Sequence, residues 1–269
     1  MFEFKCFRYR KVDYRMVGFR DAVDTIFNGI GLGESYGGYL MFEQFREKWS
    51  KAMHPLIVRL GDTDPNTLTW MSLVVSLVAF WLVANAGIDG EGALMIVGAV
   101  ILIGIAGVLD ALDGDLARHQ GTSGPYGDFL DHTIDRVVDI GLIVAIGFNS
   151  EFGVDLSLAL GAALLTLMGS YMGTQAQSVG LGRIYGGFSR ADRMVFTVLG
   201  MILASLQAAG IFALTITITG DFGSFLVLGL EEMNGFGIAV VFSAWGGLYT
   251  FITRFISARG MLLGSVPES

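Results

Sequence analysis

Long apolar stretches separated by short polar segments dominate the chain from about residue 65 onward. Several of these stretches reach the roughly 20 apolar residues that a helix needs to cross a bilayer. We therefore predict an all-α integral membrane protein with six transmembrane helices. The predicted spans cover residues 67–86, 92–112, 127–148, 156–178, 193–219 and 235–257.

A different pattern precedes the first span. Over residues 41–64, large apolar side chains recur every three or four positions with charged residues between them. This spacing predicts an amphipathic helix that lies in the membrane interface. Asp64 and Pro65 break this helix, and Pro65 is suited to the first turn of the next one. Residues 1–40 mix basic, aromatic and glycine-rich segments, and we expect them to form a poorly ordered N-terminal extension.

The composition agrees with a membrane protein. Hydrophobic residues make up 53% of the chain and charged residues 16%, whereas about 25% charged residues is usual in soluble domains. The single cysteine, Cys6, excludes a disulfide within one chain and a metal site built from cysteines.

The distribution of basic residues predicts the orientation in the membrane. Loops 87–91, 149–155 and 220–234 contain acidic residues but no Lys or Arg. The N-terminal region, loops 113–126 and 179–192, the adjoining span ends and the C-terminus hold every Lys and Arg. Positively charged loops mark the cytoplasmic side. We therefore expect a membrane domain over residues 65–260 and a cytoplasmic tail over 261–269, with both termini in the cytoplasm and the protein in the cell membrane.

Two pairs of aspartates flank the turn between the second and third spans. Asp110 and Asp113 are three residues apart, and Asp131 and Asp135 are four apart. Residues at these spacings share one face of a helix, so antiparallel neighbouring helices bring both pairs to one level. A carboxylate at the bilayer centre costs roughly 2.5–3.5 kcal/mol on insertion scales, and carboxylate oxygens are ligands of Mg²⁺ and Mn²⁺. We predict a site for one or two such ions near the cytoplasmic face.

Neighbouring residues suit a phosphate-containing ligand. Gly114 and Gly127 remove side chains where a ligand or a second helix has to come close, and Arg118 presents a fork of hydrogen-bond donors. The alternative is a purely structural arrangement, in which Asp131 and Asp135 form ion pairs with Arg118 and Arg136. Under this alternative the remaining acidic side chains of the region would lack positively charged partners.

The spacing of these residues matches the signature D-x2-D-G-x2-A-R-x8-G-x3-D-x3-D, and the chain resembles the CDP-alcohol phosphotransferase family over about residues 41–260. The resemblance implies transfer of a phosphatidyl- or archaetidyl-type group from a CDP-linked lipid to the hydroxyl of a small polar alcohol, with release of CMP. It also implies a homodimer. The matching positions are Asp110, Asp113, Gly114, Ala117, Arg118, Gly127, Asp131 and Asp135.

The resemblance assigns roles to individual residues. It implies that the four aspartates bind two Mg²⁺ or Mn²⁺ ions and that Asp135 is also the general base. The residues that it implies for binding the CDP-lipid are Asn66, Thr69, Gly114, Ala117, Arg118 and Gly127.

A cluster of basic residues is a candidate site for the acceptor. Arginines facing a metal site recognise a phosphate group well, and Arg183, Arg193, Arg254 and His132 are the candidates. Arg190, in the loop 179–192 that also contains Arg183, is a weaker candidate. Residues 170–193 are similar to archaeal family members that make archaetidyl lipids, and inositol 1-phosphate is the expected acceptor. Glycerol 3-phosphate and serine are the alternatives, and we expect no nucleic-acid partner.

A divalent-cation transporter is the rival function from a different class. Transporters place their ion site near the membrane midplane, often between inverted repeats. Here the aspartates lie at one end of the predicted spans and no internal repeat is visible. The sequence therefore favours an enzyme, while a purely structural membrane protein would leave the aspartates unexplained.

Overall fold

The computed structural model describes residues 53, 55–182, 184, 187–211, 216–217, 221–230 and 232–264. The predictions for the N-terminal extension, for most of the amphipathic helix and for Arg183 fall on residues outside these ranges. Residues 56–59 are helical and lead through a turn into the first long helix.

Helices dominate the described residues, with one pair of very short antiparallel strands. The all-α prediction is thus confirmed apart from these strands, in which Ile216 pairs with Met233 and Thr217 with Glu232. The elements are α1 Pro65–Asn85, α2 Gly90–Gln120, α3 Pro125–Phe148, α4 Leu156–Ser178, α5 Arg190–Ala208, β1 Ile216–Thr217, α6 Asp221–Leu226, β2 Glu232–Met233 and α7 Gly235–Gly264.

Polar residues at the helix termini fix where the long helices begin. The Asp64 carboxylate accepts a hydrogen bond from the backbone N–H of Asn66, and Pro65 takes the first position of α1, as the sequence predicted. Ser189 and Asp192 form a capping box that starts α5. Such caps satisfy backbone N–H groups that lack a partner inside the helix. The start of α5 therefore fixes where its first arginine enters the bundle.

The long helices form one bundle whose order determines what surrounds the aspartates. Helix α1 packs against α2 and α3, and α2 packs against α5. Helix α7 packs against α4 and α5 and closes the other side of the bundle. Close approach of α4 and α7 depends on Gly247, where a Cβ would lie 2.7 Å from the carbonyl carbon of Leu165. The central core includes the fully buried Ile96, Ile146 and Phe236.

Within the part of the chain that the structure describes, five helices are long and apolar enough to cross a membrane, namely α1, α2, α4, α5 and α7. The predicted third span forms as helix α3, but this helix carries Asp131, Asp135, Arg136 and Asp139, so it is not among the five. The protein is thus a multi-pass membrane protein of helical architecture, and the count of six spans stays a prediction.

Three predicted boundaries were wrong. The last helix, α7, continues to Gly264 instead of ending at residue 257. Helix α2 continues to Gln120 instead of ending at residue 112, and Gly121 ends it with a left-handed backbone conformation at φ 69°. The region predicted as a loop from residue 113 is therefore mostly helical. Helix α5 ends at Ala208 instead of residue 219, because Gly210 turns the chain with φ 68°.

Candidate active site

The four aspartates of the predicted metal site converge between α2 and α3. The Asp131 carboxylate lies within electrostatic range of Asp110, Asp113 and Asp135, and Asp110 lies within range of Asp113 and Asp135. A glycine- and serine-containing turn of four residues, 121–124, joins the two helices and makes them antiparallel neighbours. Short-range spacing in the sequence is therefore sufficient to bring these side chains together.

Helix α1 contributes the partner of one of these carboxylates. The Thr69 hydroxyl donates a hydrogen bond to Asp113 Oδ2, and both side chains are buried. The same hydroxyl lies 3.4 Å from the carbonyl oxygen of Pro65. Thr69 thus fixes the orientation of Asp113 from the first turns of α1.

Arg190 at the start of α5 contacts two of the four aspartates. Its Nη2 lies 2.7 Å from Asp135 Oδ1, and its Nη1 lies 3.5 Å from Asp110 Oδ2. Its Nε donates to Asp139 Oδ1 at 3.1 Å. The structural alternative had assigned Asp131 and Asp135 to Arg118 and Arg136, but Asp135 instead faces Arg190.

Three side chains form a donor set that fits a hard divalent cation, and Asp110 and Asp113 lie outside this group. Potential ligand atoms of Asp131, His132 and Asp135 lie within 4.8 Å of one another, which joins two of the predicted ligands with a histidine. Asp135 Oδ1 is buried and makes no hydrogen bond, because its contact with Arg190 lacks hydrogen-bond geometry. Asp113 and Asp135 are both buried within electrostatic range of Asp110 and Asp131, and such a concentration of carboxylates is costly unless cations compensate it. Oxygen ligands of this type suit Mg²⁺ and Mn²⁺.

A cleft of about 810 Å³ opens beside the aspartates and is bounded by α1, α2, α3 and the 121–124 turn. All six residues predicted to bind the CDP-lipid line it, together with two of the aspartates. The Gln120 side chain fixes one wall by donating to the carbonyl oxygens of Gly61 and Thr63 at 2.9 and 2.8 Å. The predicted residues in the lining are Asn66, Thr69, Asp113, Gly114, Ala117, Arg118, Gly127 and Asp131.

The two glycines of the signature keep this cleft open. A Cβ at Gly127 would lie 3.8 Å from Asn66 Oδ1, and one at Gly114 would lie 3.5 Å from Arg118 Nη1. Both are ordinary contact distances, so larger side chains than methyl would fill the space between α1, α2 and α3. The exposed Arg118 side chain pairs with Asp115 one turn earlier on α2.

A second cluster, of the three arginines Arg136, Arg193 and Arg254, lies beside the aspartates. These three side chains interact electrostatically. Asp139 contacts Arg193 at 3.2 Å and Arg136 at 3.5 Å. Arg254 Nη1 donates to the carbonyl oxygen of Gly169 at 2.9 Å. The Nε atoms of Arg193 and Arg254 are buried without a hydrogen-bond partner, so this arginine cluster has donors to offer an anion.

The remaining acceptor candidates are placed differently. His132 is exposed on α3, with Nδ1 3.4 Å from Asp131 Oδ2, and Arg183 lies outside the described residues. The sequence interpretation gave Arg190 little weight and treated Arg136 only as a partner for an aspartate. The Ser189–Asp192 capping-box pattern would have identified Arg190 as the first residue of α5, but not the helices against which α5 packs.

Comparison with known proteins places these features in a family. Residues 63–245 match the family described as CDP-alcohol phosphatidyltransferase. The chain is 28% identical over 178 residues to the phosphatidylinositol phosphate synthase of Cutibacterium acnes, covering 64% of this chain and 83% of that protein. It is 31% identical over 166 residues to the archaetidylinositol phosphate synthase of Methanothermobacter thermautotrophicus, covering 62% and 80%.

Solved structures show the same fold. The crystal structure of Mycobacterium tuberculosis phosphatidylinositol phosphate synthase with CDP-DAG bound gives a TM-score of 0.55 at 18% identity, covering 76% of this chain and 92% of that chain. The form in complex with manganese and citrate gives 0.56 at 17% identity, covering 76% and 88%. Because the family match spans well over half of the sequence and includes both aspartate pairs, the chain belongs to the CDP-alcohol phosphatidyltransferase family.

Proposed function

We propose that this protein transfers a phosphatidyl- or archaetidyl-type group from a CDP-linked lipid to the hydroxyl of a small phosphorylated alcohol, with release of CMP. The observation that carries the proposal is the convergence of two aspartate pairs between a ligand-sized cleft and a cluster of arginines. The family assignment supports the chemistry, and the names of two relatives support an inositol phosphate acceptor.

The cleft is the proposed site for the CDP part of the donor. Its small residues Gly114, Ala117 and Gly127 leave room for a nucleotide, and Arg118 offers donors to its phosphates. Asn66 and Thr69 provide polar groups from α1. The CDP-DAG bound in the structure of the M. tuberculosis relative supports a donor of this class.

Asp110, Asp113, Asp131 and Asp135 are the proposed ligands of two Mg²⁺ or Mn²⁺ ions. Bound ions of this kind stabilise the negative charge that develops on a pyrophosphate as it is cleaved. The manganese in a structure of the M. tuberculosis relative supports this ligand class. His132 shares the group formed by Asp131 and Asp135 and is a further candidate contact on this side.

Asp135 is the proposed general base. Its carboxylate is buried among the other proposed metal ligands, and a carboxylate in this position can accept the proton of the acceptor hydroxyl. The acceptor oxygen then forms a bond to the β-phosphorus of the CDP-lipid. The bond between this phosphorus and the bridging oxygen breaks, and its electron pair leaves with CMP. The helices that hold the donor and the base in fixed positions supply the orientation on which such a transfer depends.

The arginine cluster is the proposed site for the phosphate of the acceptor. Arg193 and Arg254 have buried Nε donors without partners, and Arg136 adds a third positive charge. The cluster has three positive charges and one contacting aspartate, Asp139, so it carries an excess of positive charge. This excess favours a phosphorylated acceptor, inositol 1-phosphate or glycerol 3-phosphate, over serine. Arg183 remains a further candidate from the loop before α5.

Two further properties belong to the proposal. The basic loops support a cytoplasmic position for the site and for both termini, and a soluble phosphorylated alcohol would be accessible there. We also propose a homodimer formed through the membrane helices, as the resemblance implies. Crosslinking of the protein in native membranes would detect the dimer.

The test is release of CMP by the purified protein with Mg²⁺ or Mn²⁺. CDP-diacylglycerol and CDP-archaeol are the donors, and inositol 1-phosphate, glycerol 3-phosphate, serine and free inositol are the acceptors. We expect release with a phosphorylated acceptor and none from the Asp135→Asn variant. Folded protein that releases no CMP with any pair would contradict the proposal. Mn²⁺ flux into vesicles in that case would favour the transporter.

A further inference from the structure

Arg190 contacts one oxygen of each of two carboxylates that belong to the proposed metal site. Its Nη2 lies 2.7 Å from Asp135 Oδ1, and its Nη1 lies 3.5 Å from Asp110 Oδ2. A small divalent ion such as Mg²⁺ sits roughly 2.0–2.1 Å from its oxygen ligands. A guanidinium nitrogen at 2.7 Å from the same oxygen leaves no space for such an ion on that side.

The contacts of Arg190 with the two aspartates are weak in geometry. Asp135 Oδ1 receives no hydrogen bond despite its closeness to Arg190, and the Asp110 contact is at the long end of hydrogen-bonding distance. The Nε hydrogen bond to Asp139 at 3.1 Å is better formed. The Nε atom of Arg190 is thus held by a hydrogen bond to Asp139, while its two Nη atoms interact with Asp110 and Asp135 mainly by charge attraction.

No other arginine described near the site contacts both Asp139 and a proposed metal ligand. Arg193, one turn along α5, contacts Asp139 and the carbonyl oxygen of Phe188 but none of the four aspartates. Asp113 is oriented by the Thr69 hydroxyl, which carries no charge. Within the described residues, Arg190 is therefore the arginine paired with proposed metal ligands.

We propose that Arg190 competes with divalent metal ions for Asp110 and Asp135, so that a bound ion displaces it from these two carboxylates. This inference rests on the proposed metal site. Binding of one cation to these carboxylates weakens binding of the other, and the coupling acts equally in both directions. Displacement releases both Nη groups of Arg190, while Asp139 keeps the side chain beside the arginine cluster. The position of the Arg190 side chain therefore depends on whether metal is bound.

The experiment measures Mn²⁺ affinity without substrates, from the electron paramagnetic resonance signal of free Mn²⁺ over the full-length protein in detergent. Removal of the competing charge in Arg190→Gln is expected to tighten binding by about tenfold. Arg193→Gln is the matched control on the same helix and is expected to change the affinity much less. Arg190→Lys keeps the charge without the planar fork and should fall between the wild type and Arg190→Gln.

The outcomes separate this inference from the metal site itself. Unchanged or weaker Mn²⁺ binding in Arg190→Gln, with wild-type binding that Asp113→Asn weakens strongly, would overturn the competition and leave the metal site in place. Absence of Mn²⁺ binding by the wild type would overturn both.

A measurement on the wild-type chain covers the case in which Arg190→Gln does not fold. Modification of Arg190 by phenylglyoxal, followed by peptide mass spectrometry, is expected to become faster when Mn²⁺ is added. A rate that stays the same or falls would contradict displacement. Arg118 is the internal reference, because its partner Asp115 is outside the proposed ligand set.

Discussion

Asp139 Oδ2 accepts a hydrogen bond from Arg193 Nη2 at 3.2 Å, and both residues are buried between α3 and α5. Asp139 also accepts from Arg190 Nε at 3.1 Å and lies 3.5 Å from Arg136 Nη1. One carboxylate therefore holds three arginines that come from two helices. Removal of a partner from a buried ion pair leaves an uncompensated charge, which is the costly case.

We therefore predict that Asp139→Asn destabilises the protein by about 3–5 kcal/mol. Asparagine keeps the size of the side chain but removes the negative charge between the arginines. Thermal unfolding in detergent, followed by circular dichroism, measures the effect. Asp128→Asn on the exposed face of α3 is the control. Equal melting temperatures for the two variants would show that the arginines do not depend on Asp139.

Thr69 offers a test of the hydrogen bond that orients Asp113. Thr69→Val removes the hydroxyl that donates to Asp113 Oδ2 and preserves the shape of the side chain, whereas Thr69→Ser keeps the hydroxyl. Loss of a group that orients a metal ligand typically lowers metal affinity or activity by about 10–100-fold. We expect this loss in Thr69→Val and a small effect in Thr69→Ser, measured as the Mn²⁺ concentration that gives half-maximal CMP release. Equal behaviour of the two variants would exclude this role.

Gly247 offers a test of the packing between α4 and α7. A Cβ there would lie 2.7 Å from backbone atoms of Leu165 and Thr166, which cannot move without separating the helices. We expect Gly247→Ala to destabilise the protein by about 1–3 kcal/mol. Gly260 lies on the same helix, and a Cβ added there would have no atom within 4 Å, so Gly260→Ala is the matched control. Comparable unfolding temperatures for the two variants would contradict the close contact.

The sequence predicts the metal side of the site better than the acceptor side, for a physical reason. The aspartate pairs converge because their spacing and the short 121–124 turn are local features. Arg190 and Asp110 are 80 residues apart in the sequence, and they meet only because α5 packs against α2. Periodicity indicates which face of a helix is apolar but not which helix that face contacts. The pairing of Arg190 with the aspartates was therefore not predictable from local pattern.

The boundary errors have a similar origin. Apolar content alone suggested a fifth span to residue 219, yet Gly210 ends α5 with its left-handed conformation. Conversely, the second span was predicted to end at residue 112, but α2 continues past Asp113 and Asp115, and its last turns line the cleft. Asn149 shows the same limit of local pattern. Its side-chain amide donates to the carbonyl oxygens of Val83 and Ala86 at 2.7 and 2.9 Å, although both residues are far away in the sequence.

The arginine cluster provides a test of acceptor recognition that is independent of the metal. Arg254→Gln removes a positive charge near Arg193, the unpaired Nε and the donor to the carbonyl oxygen of Gly169, while it keeps a polar side chain at this position. If the cluster binds the acceptor phosphate, the KM for inositol 1-phosphate should rise by about 10–150-fold, the cost of losing a charged hydrogen bond of roughly 1.5–3 kcal/mol. The KM for the CDP-lipid should stay close to the wild-type value, because Arg254 does not line the cleft.

Arg259→Gln is the control, because it also removes an arginine from the C-terminal part of α7. A parallel rise in both KM values would indicate a distorted bundle, and an unchanged KM for the acceptor would exclude Arg254 from the phosphate site.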